Sequence, residues 1–206
     1  MQHLTNLFKI LEITRSMPQY GYAIAGVQKN ELSDIAQHQY LVALFAWQLA
    51  LNLNSLGANF NVQRVLELAL THDLGELFGS DISFYYARKN KKARTFAKKF
   101  EMENIKFMSK FFGKDKNYFQ KLLGELHAEK SDESLLVKVA DYIEATHYKY
   151  IIRKSRKDDV LLTAEAVSVH AKKIKNPLAR EKLLSFTKQW AKDLPNGDTV
   201  DVVKGI

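Results

Sequence analysis

Apolar positions recur at three- and four-residue intervals through most of the chain, and that spacing predicts helix almost throughout. Leu4, Leu7, Phe8 and Leu11 set an amphipathic helix over residues 4–15, which Pro18 and Gly21 end. Residues 21–31 carry no helical period and read as a loop or short extended pair leading to Ser33 or Asp34 as an N-cap. Residues 35–53 are apolar on more than one face, so that helix is expected at the centre. After a break at residues 59–61, residues 62–77 resume the pattern through Val65, Leu66, Leu68, Ala69 and Leu70, which places His72 late in a buried helix. Residues 91–112 predict a charged helix with Phe96, Phe100, Ile105, Phe107, Met108 and Phe111 on its apolar side. A helix over 118–126 follows, and Ser131 then caps a long one running to Ile152. Residues 164–170 and 178–194 give one or two more, and the tail beyond Pro195 reads as frayed.

No β-branched alternating run of strand length interrupts this series, so an all-α, single-domain helical bundle is expected over residues 1–206. Its core would lie in about 5–155, with C-terminal helices in about 160–194. Neither an internal repeat nor a low-complexity linker divides the chain. A hydrophobic fraction of 46% with only 3 prolines excludes disorder. There is no cysteine, which excludes a disulfide framework and a thiolate metal site and leaves histidine and carboxylate as the ligands for any transition metal. Residues 1–7 lack the basic flank and apolar run of a signal peptide, and no uncharged stretch is long enough to span a bilayer. A soluble, cytoplasmic protein without a membrane partner is expected.

The formal charge of +8 gathers in two runs, from Arg88 through Arg94 to Lys98 and Lys99, and from Arg153 to Lys157. Each has two readings, a solvated face of a lysine-rich helix or a surface for an anionic partner. Phe84, Tyr85 and Tyr86 precede the first run and are either core aromatics at a helix junction or stacking surfaces for a base.

The densest chemistry lies in the segment from His72 and Asp73 through Glu76 to Asp81, otherwise apolar or small. At helical spacing His72 and Glu76 share a face, and Asp73 stands about 100° round from them. Adjacent His and Asp can bind one ion together, and further ligands would have to come from other apolar helices. His38, one turn into the long apolar stretch, and Asp141, in the sequence Val137-Lys138-Val139-Ala140-Asp141, are such positions. Taken singly, His38 also reads as a boundary histidine and Asp141 as a partner for Lys138. Glu76 and Asp81 also read as a helix-end acid and a turn residue.

The order His38, His72-Asp73, Asp141 resembles the HD-domain superfamily of metal-dependent phosphohydrolases. Pro18-Gln19-Tyr20-Gly21-Tyr22, Gly26-Val27, Asp34-Ile35-Ala36-Gln37-His38, His72-Asp73-Leu74-Gly75-Glu76, Asp81-Ile82 and Val137 to Asp141 are similar to the branch containing 5′-deoxyribonucleotidases of the YfbR type. The resemblance covers about residues 5–155. It implies that His38, His72, Asp73 and Asp141 ligate one divalent cation, whether Mn, Co, Ni, Fe, Zn or Mg. It further implies that Glu76 orients or deprotonates the attacking water and that Asp81 assists or protonates the leaving oxygen. The implied activity is release of phosphate from nucleoside 5′-monophosphates, and the implied assembly is a homodimer.

The chain departs from that branch in three places: Ser16 stands where the relatives have a phosphate-binding arginine, with Arg15 one residue earlier as the substitute; Gln37 stands where an acid precedes the first histidine; and Ser80 replaces a glycine. Two other readings accompany this one. The first is a phosphodiesterase or nucleoside triphosphate hydrolase using the same metal set. The second is a nucleic-acid-binding or regulatory module with a vestigial metal site, its basic helices doing the binding. His127, His147 and His170 have no assigned role, with His127 and His170 in polar surroundings. Glu144, three residues after Asp141, either reaches the pocket mouth or, as the preferred reading, is a solvated partner for a nearby lysine.

Overall fold

The structure is a computed structural model that describes residues 3–79, 81–156, 158–197 and 199–205. The Ser80 departure and Lys157 at the end of the second basic run lie outside the described residues.

Among those residues the chain forms α1 (His3–Leu11), α2 (Ile35–Ser55), α3 (Val62–Ala69), α4 (Phe84–Lys89), α5 (Lys91–Ser109), α6 (Lys116–His127), α7 (Asp132–Ile151), α8 (Asp159–Ala171), α9 (Pro177–Asp193) and α10 (Thr199–Lys204). Short 3₁₀ turns fill several connections, and the described residues contain no strand beyond isolated bridges. The expected all-α bundle is what the chain builds.

Several helices begin where a side chain can satisfy an amide that the helix leaves unpaired. Asp34 accepts from the Gln37 N–H at 2.8 Å, Asn61 from Arg64 at 3.0 Å and Ser131 from Ser134 at 3.1 Å. Asn176 does the same for Ala179 at 3.0 Å, with Pro177 in the first turn, where its missing N–H costs no hydrogen bond.

The core is centred on α2 and α7, which pack on each other, with α3 against both and α8 against the other side of α7. Val42, Ala46 and Ala50 of α2 and Leu136, Val137, Val139 and Ala140 of α7 are fully buried. α2 packs against both α7 and α3, which is why it is apolar on more than one face. α9 packs on α8, so the C-terminal helices belong to the same packed body.

The structure differs from the sequence expectation in four places. The helix expected over 62–77 stops at Ala69, and Leu74–Glu76 is a 3₁₀ turn. Capping explains the stop: the Thr71 hydroxyl donates to Glu67 O at 2.7 Å and His72 Nδ1 lies 2.7 Å from Ala69 O, so side chains take carbonyls that a continuing helix would have used. In α5 only Asn104, Ile105, Met108 and Ser109 are buried, while Phe96, Phe100 and Phe107 are exposed, because they share a different face of the helix from the residues packed against the Leu74–Glu76 turn and α6. The unpatterned stretch of residues 21–31 forms 3₁₀ turns at Tyr20–Ala25 and Lys29–Glu31, with no extended pair between its residues. The tail expected to fray carries the short helix α10.

No described helix is long and apolar enough to cross a membrane.

Candidate metal centre

His38 projects from the first turns of α2 and His72 from the turn after α3, and both side chains are buried. Their Nε2 atoms lie 3.2 Å apart. Asp73 completes the group, with Oδ1 3.3 Å from His72 Nε2 and Oδ2 3.5 Å from His38 Nε2. One donor atom from each of these residues falls within 4.8 Å of the others. Asp141, from α7, adds Oδ1 at 3.3 Å from His38 Nε2.

The hydrogen bonds behind this cluster decide its chemistry. His72 Nδ1 faces the carbonyl of Ala69, which can only accept, so Nδ1 carries the proton and Nε2 presents a lone pair to the cluster. His38 Nδ1 lies 2.5 Å from Glu144 Oε2, and that carboxylate is the acceptor that turns Nε2 toward the acids. Two buried imidazole nitrogens facing each other among carboxylates form a donor set that a divalent cation satisfies, each ring being oriented by an acceptor on its far nitrogen. Burial disfavours protonation of His38, but the hydrogen bonds to Asp141 and Glu144 outweigh it and raise its pKa well above the usual value. These residues fit a metal ion.

Glu144 is therefore not the solvated partner of a lysine. It is buried, 2% exposed as a residue, one turn after Asp141 on the same face of α7. Its spacing of three residues from Asp141 was the legible signal, but only the fold shows that this face meets His38. Glu144→Gln keeps the size and burial and weakens the acceptor, so metal affinity is expected to fall about 10- to 100-fold with little change in melting temperature. Metal titration by calorimetry beside a thermal melt checks this, and unchanged affinity would remove Glu144 from the site.

A cavity of about 330 Å³ opens from this cluster. Its lining includes His38, Asp73 and Asp141, together with Glu76 and Asp81, so the fold brings together all the sequence candidates except His72, which lies just behind, and Arg15. Arg15 ends the turn after α1 with a side chain 75% exposed, paired to Glu12 at 3.1 Å, and is not among the lining residues. Tyr20 and Gly21 carry the chain past Asp81 instead: the Gly21 N–H donates to Asp81 Oδ2 at 2.5 Å, and a Cβ at position 21 would stand 2.8 Å from Asp81 Oδ1.

Electrostatics sort the acids. Burial pushes the Glu76 carboxyl well above the carboxylate range, with the neighbouring charges of Asp73, Asp81 and Glu101 adding to it. Burial also raises Asp81, to about 6, the Gly21 N–H opposing and the Asp73 charge assisting. Burial works against ionisation of Asp141 too, but Lys138, 3.3 Å away, and the hydrogen bond from His38 outweigh it and hold Asp141 well below the usual range. One carboxylate is thus fixed as an anion beside the histidines while two others hold protons more readily. This is the separation that acid and base chemistry needs.

Gln19 also escaped the sequence analysis. It is buried, its Nε2 lies 3.4 Å from Asp73 Oδ2, and its Oε1 has no hydrogen-bond partner while lining the cavity. Phe84 and Tyr85 of α4 form one wall with Tyr142 of α7, Phe84 and Tyr142 meeting edge to face at 5.6 Å. Tyr86 turns outward. Of the unassigned histidines, His127 Nε2 lies 3.1 Å from Glu101, His147 accepts from the Trp190 indole at 3.0 Å, and His170 is buried against Glu129.

A protein-family model described as HD domain matches residues 17–182, reaching well past residue 155 into α9. A conserved hypothetical protein from Pyrococcus furiosus is similar in structure, 21% identical over 90% of this chain and 99% of its own, with a TM-score of 0.64. A protein from Pyrococcus horikoshii is similar at 24% identity over 90% of this chain and 98% of its own, with a TM-score of 0.65. At these identities the likeness shows the fold. No curated protein matches the chain.

Proposed function

Because the chain belongs to the HD-domain family, we propose that it is a metal-dependent phosphohydrolase of the 5′-nucleotidase type, releasing phosphate from nucleoside 5′-monophosphates. The observation that carries this reading is the buried His38, His72 and Asp73 cluster at the floor of a cavity that also holds Glu76, Asp81 and an aromatic wall.

In this reading His38, His72, Asp73 and Asp141 hold one divalent cation, of Mn, Co, Ni, Fe, Zn or Mg, as the nitrogen and oxygen donor set allows. The bound cation supplies Lewis acidity, lowering the pKa of water and neutralising phosphoryl charge. Glu76 takes a proton from the attacking water at its carboxylate, a task suited to a carboxyl whose pKa is raised. Asp81, positioned by the Gly21 N–H, delivers a proton to the leaving oxygen. Lys138 lies beside Asp141 in the cavity wall and supplies a cation for the scissile phosphate, which Arg15 in its exposed pair with Glu12 does not. Phe84, Tyr85 and Tyr142 offer faces for the base. What supports membership in the 5′-deoxyribonucleotidase branch is the resemblance of the chain's motifs, above all the segment from His72 to Ile82. The whole chain acts as one domain in the cytoplasm, as a homodimer that covers the exposed Phe96, Phe100 and Phe107 of α5.

A phosphate-release assay across nucleoside monophosphates, each with the six cations named, tests the proposal. Turnover of at least one monophosphate that EDTA abolishes is expected. Faster turnover of bis-phosphoesters or triphosphates would replace the nucleotidase reading with a phosphodiesterase or triphosphate hydrolase. Absence of phosphate release with every cation would end it.

A further inference from the structure

The first basic run does not only face bulk solvent. Arg94, Ala97, Lys98 and Glu101 lie on one face of α5, at spacings of three and four residues, and all of them line the cavity. The far end of that face is fixed to the His72–Glu76 segment. Asn104 Nδ2 donates to Gly75 O at 2.8 Å, and a Cβ on Gly75 would meet Glu101 Cγ at 2.7 Å, so the backbone of this turn lies directly on α5. From Glu101 the helix rise of about 1.5 Å per residue puts Lys98 roughly 4.5 Å and Arg94 roughly 10 Å further along, away from the catalytic segment.

Among the described residues, these two cations stand apart from the others in the lining. Lys138 is paired with Asp141, Lys149 with Asp159 at 3.0 Å and Arg88 with Glu165 at 3.5 Å. Arg94 and Lys98 form no ion pair with any described residue, and the nearest acid on their own face, Glu101, lies 3.1 Å from His127 Nε2. Ala97 lies between them and leaves the space in front of the pair open. Two unneutralised cations on adjacent turns match the charge of one phosphate monoester, about −1.5 to −2 at neutral pH.

We infer that Arg94 and Lys98 form a second phosphate subsite, and that the preferred substrate is a nucleotide carrying a further phosphate across the sugar from the scissile one, a nucleoside 3′,5′-bisphosphate. This rests on the phosphohydrolase reading for the scissile end. Phosphates joined through one bridging oxygen, as in a triphosphate, would crowd together at the acid cluster beside Lys138. A group one to two helical turns away, beside the wall of Phe84 and Tyr142, is separated by a sugar.

The test uses the full metal-loaded chain and compares adenosine 3′,5′-bisphosphate, adenosine 5′-monophosphate and adenosine triphosphate. Wild type is expected to show kcat/KM at least tenfold higher for the bisphosphate than for the monophosphate. In the Arg94→Gln, Lys98→Gln double variant, whose changed positions are solvent-facing, that ratio is expected to fall to about one. A wild-type ratio near one, a ratio the substitutions leave in place, an equal loss on both substrates, or a preference for the triphosphate overturns the subsite. Calorimetric binding of the same compounds separates this from the catalytic reading: if nothing is hydrolysed yet the bisphosphate binds at least tenfold more tightly than the monophosphate and the double variant loses that margin, the subsite stands and the hydrolase reading falls. Equal binding of the two compounds by wild type sinks the subsite.

Discussion

Asp73→Ala is expected to abolish both metal retention and phosphate release, with turnover falling by at least about 10³-fold, the scale of several kcal/mol of lost transition-state stabilisation. Asp73 offers one oxygen toward each histidine, 3.3 Å from His72 Nε2 and 3.5 Å from His38 Nε2. No other described acid does this: Asp141 touches the cluster through His38 and is drawn toward Lys138, while Glu144 is spent on His38 Nδ1. The alanine leaves two facing imidazole nitrogens without the carboxylate that joins them, and Gln19 loses its contact as well. Metal content of the purified variant by elemental analysis, phosphate release across the same cations, and a thermal melt to establish folding form one experiment. A folded variant that keeps its metal and turns over would remove Asp73 from the ligand set.

Glu76→Gln should behave differently, keeping the metal and losing turnover by about 10²- to 10⁴-fold, the usual contribution of a positioned general base. Glu76 lies three residues past Asp73, at the end of the 3₁₀ turn, and stands outside the group formed by His38, His72 and Asp73, so its substitution leaves that donor set intact. The pH profile gives a second readout. A base must be ionised to accept a proton, and burial together with Asp73, Asp81 and Glu101 raises Glu76 above the carboxylate range. Wild-type kcat should therefore climb as pH rises through an ionisation above that range, and the climb should vanish in the glutamine variant. Loss of metal in Glu76→Gln, or an unchanged acid limb, would transfer the base to another group.

The contrast between the two variants depends on a turn that periodicity misread. Val65, Leu68 and Ala69 continue a helical pattern that Leu74 and Leu77 extend, so nothing in the spacing of apolar residues marks a stop at Ala69. The stop comes from Thr71 and His72 turning back onto the Glu67 and Ala69 carbonyls. The aromatics of α5 misled in the opposite sense, since amphipathic spacing was present but Phe96, Phe100 and Phe107 fall on a different face from the one that packs against the Leu74–Glu76 turn.

What the sequence determined by itself was local: the series of helices, a cap at Ser131 and another at Ser33 or Asp34, a cysteine-free donor inventory, and His38, His72, Asp73 and Asp141 as the residues whose order resembles an HD-domain ligand set. Capping and periodicity are short-range, and a histidine beside an aspartate on an apolar background is legible wherever it occurs. What only the tertiary structure decided was convergence. Glu144 became the acceptor behind His38 because α7 packs on α2, and Arg94 and Lys98 entered the cavity because Gly75 lets the Leu74–Glu76 turn lie against α5. Arg15 stayed outside because its turn ends away from the cavity, paired with Glu12. Contacts between residues 106 apart along the chain are set by which helix faces meet, and that is fixed by packing of the whole core, which no short window of sequence contains.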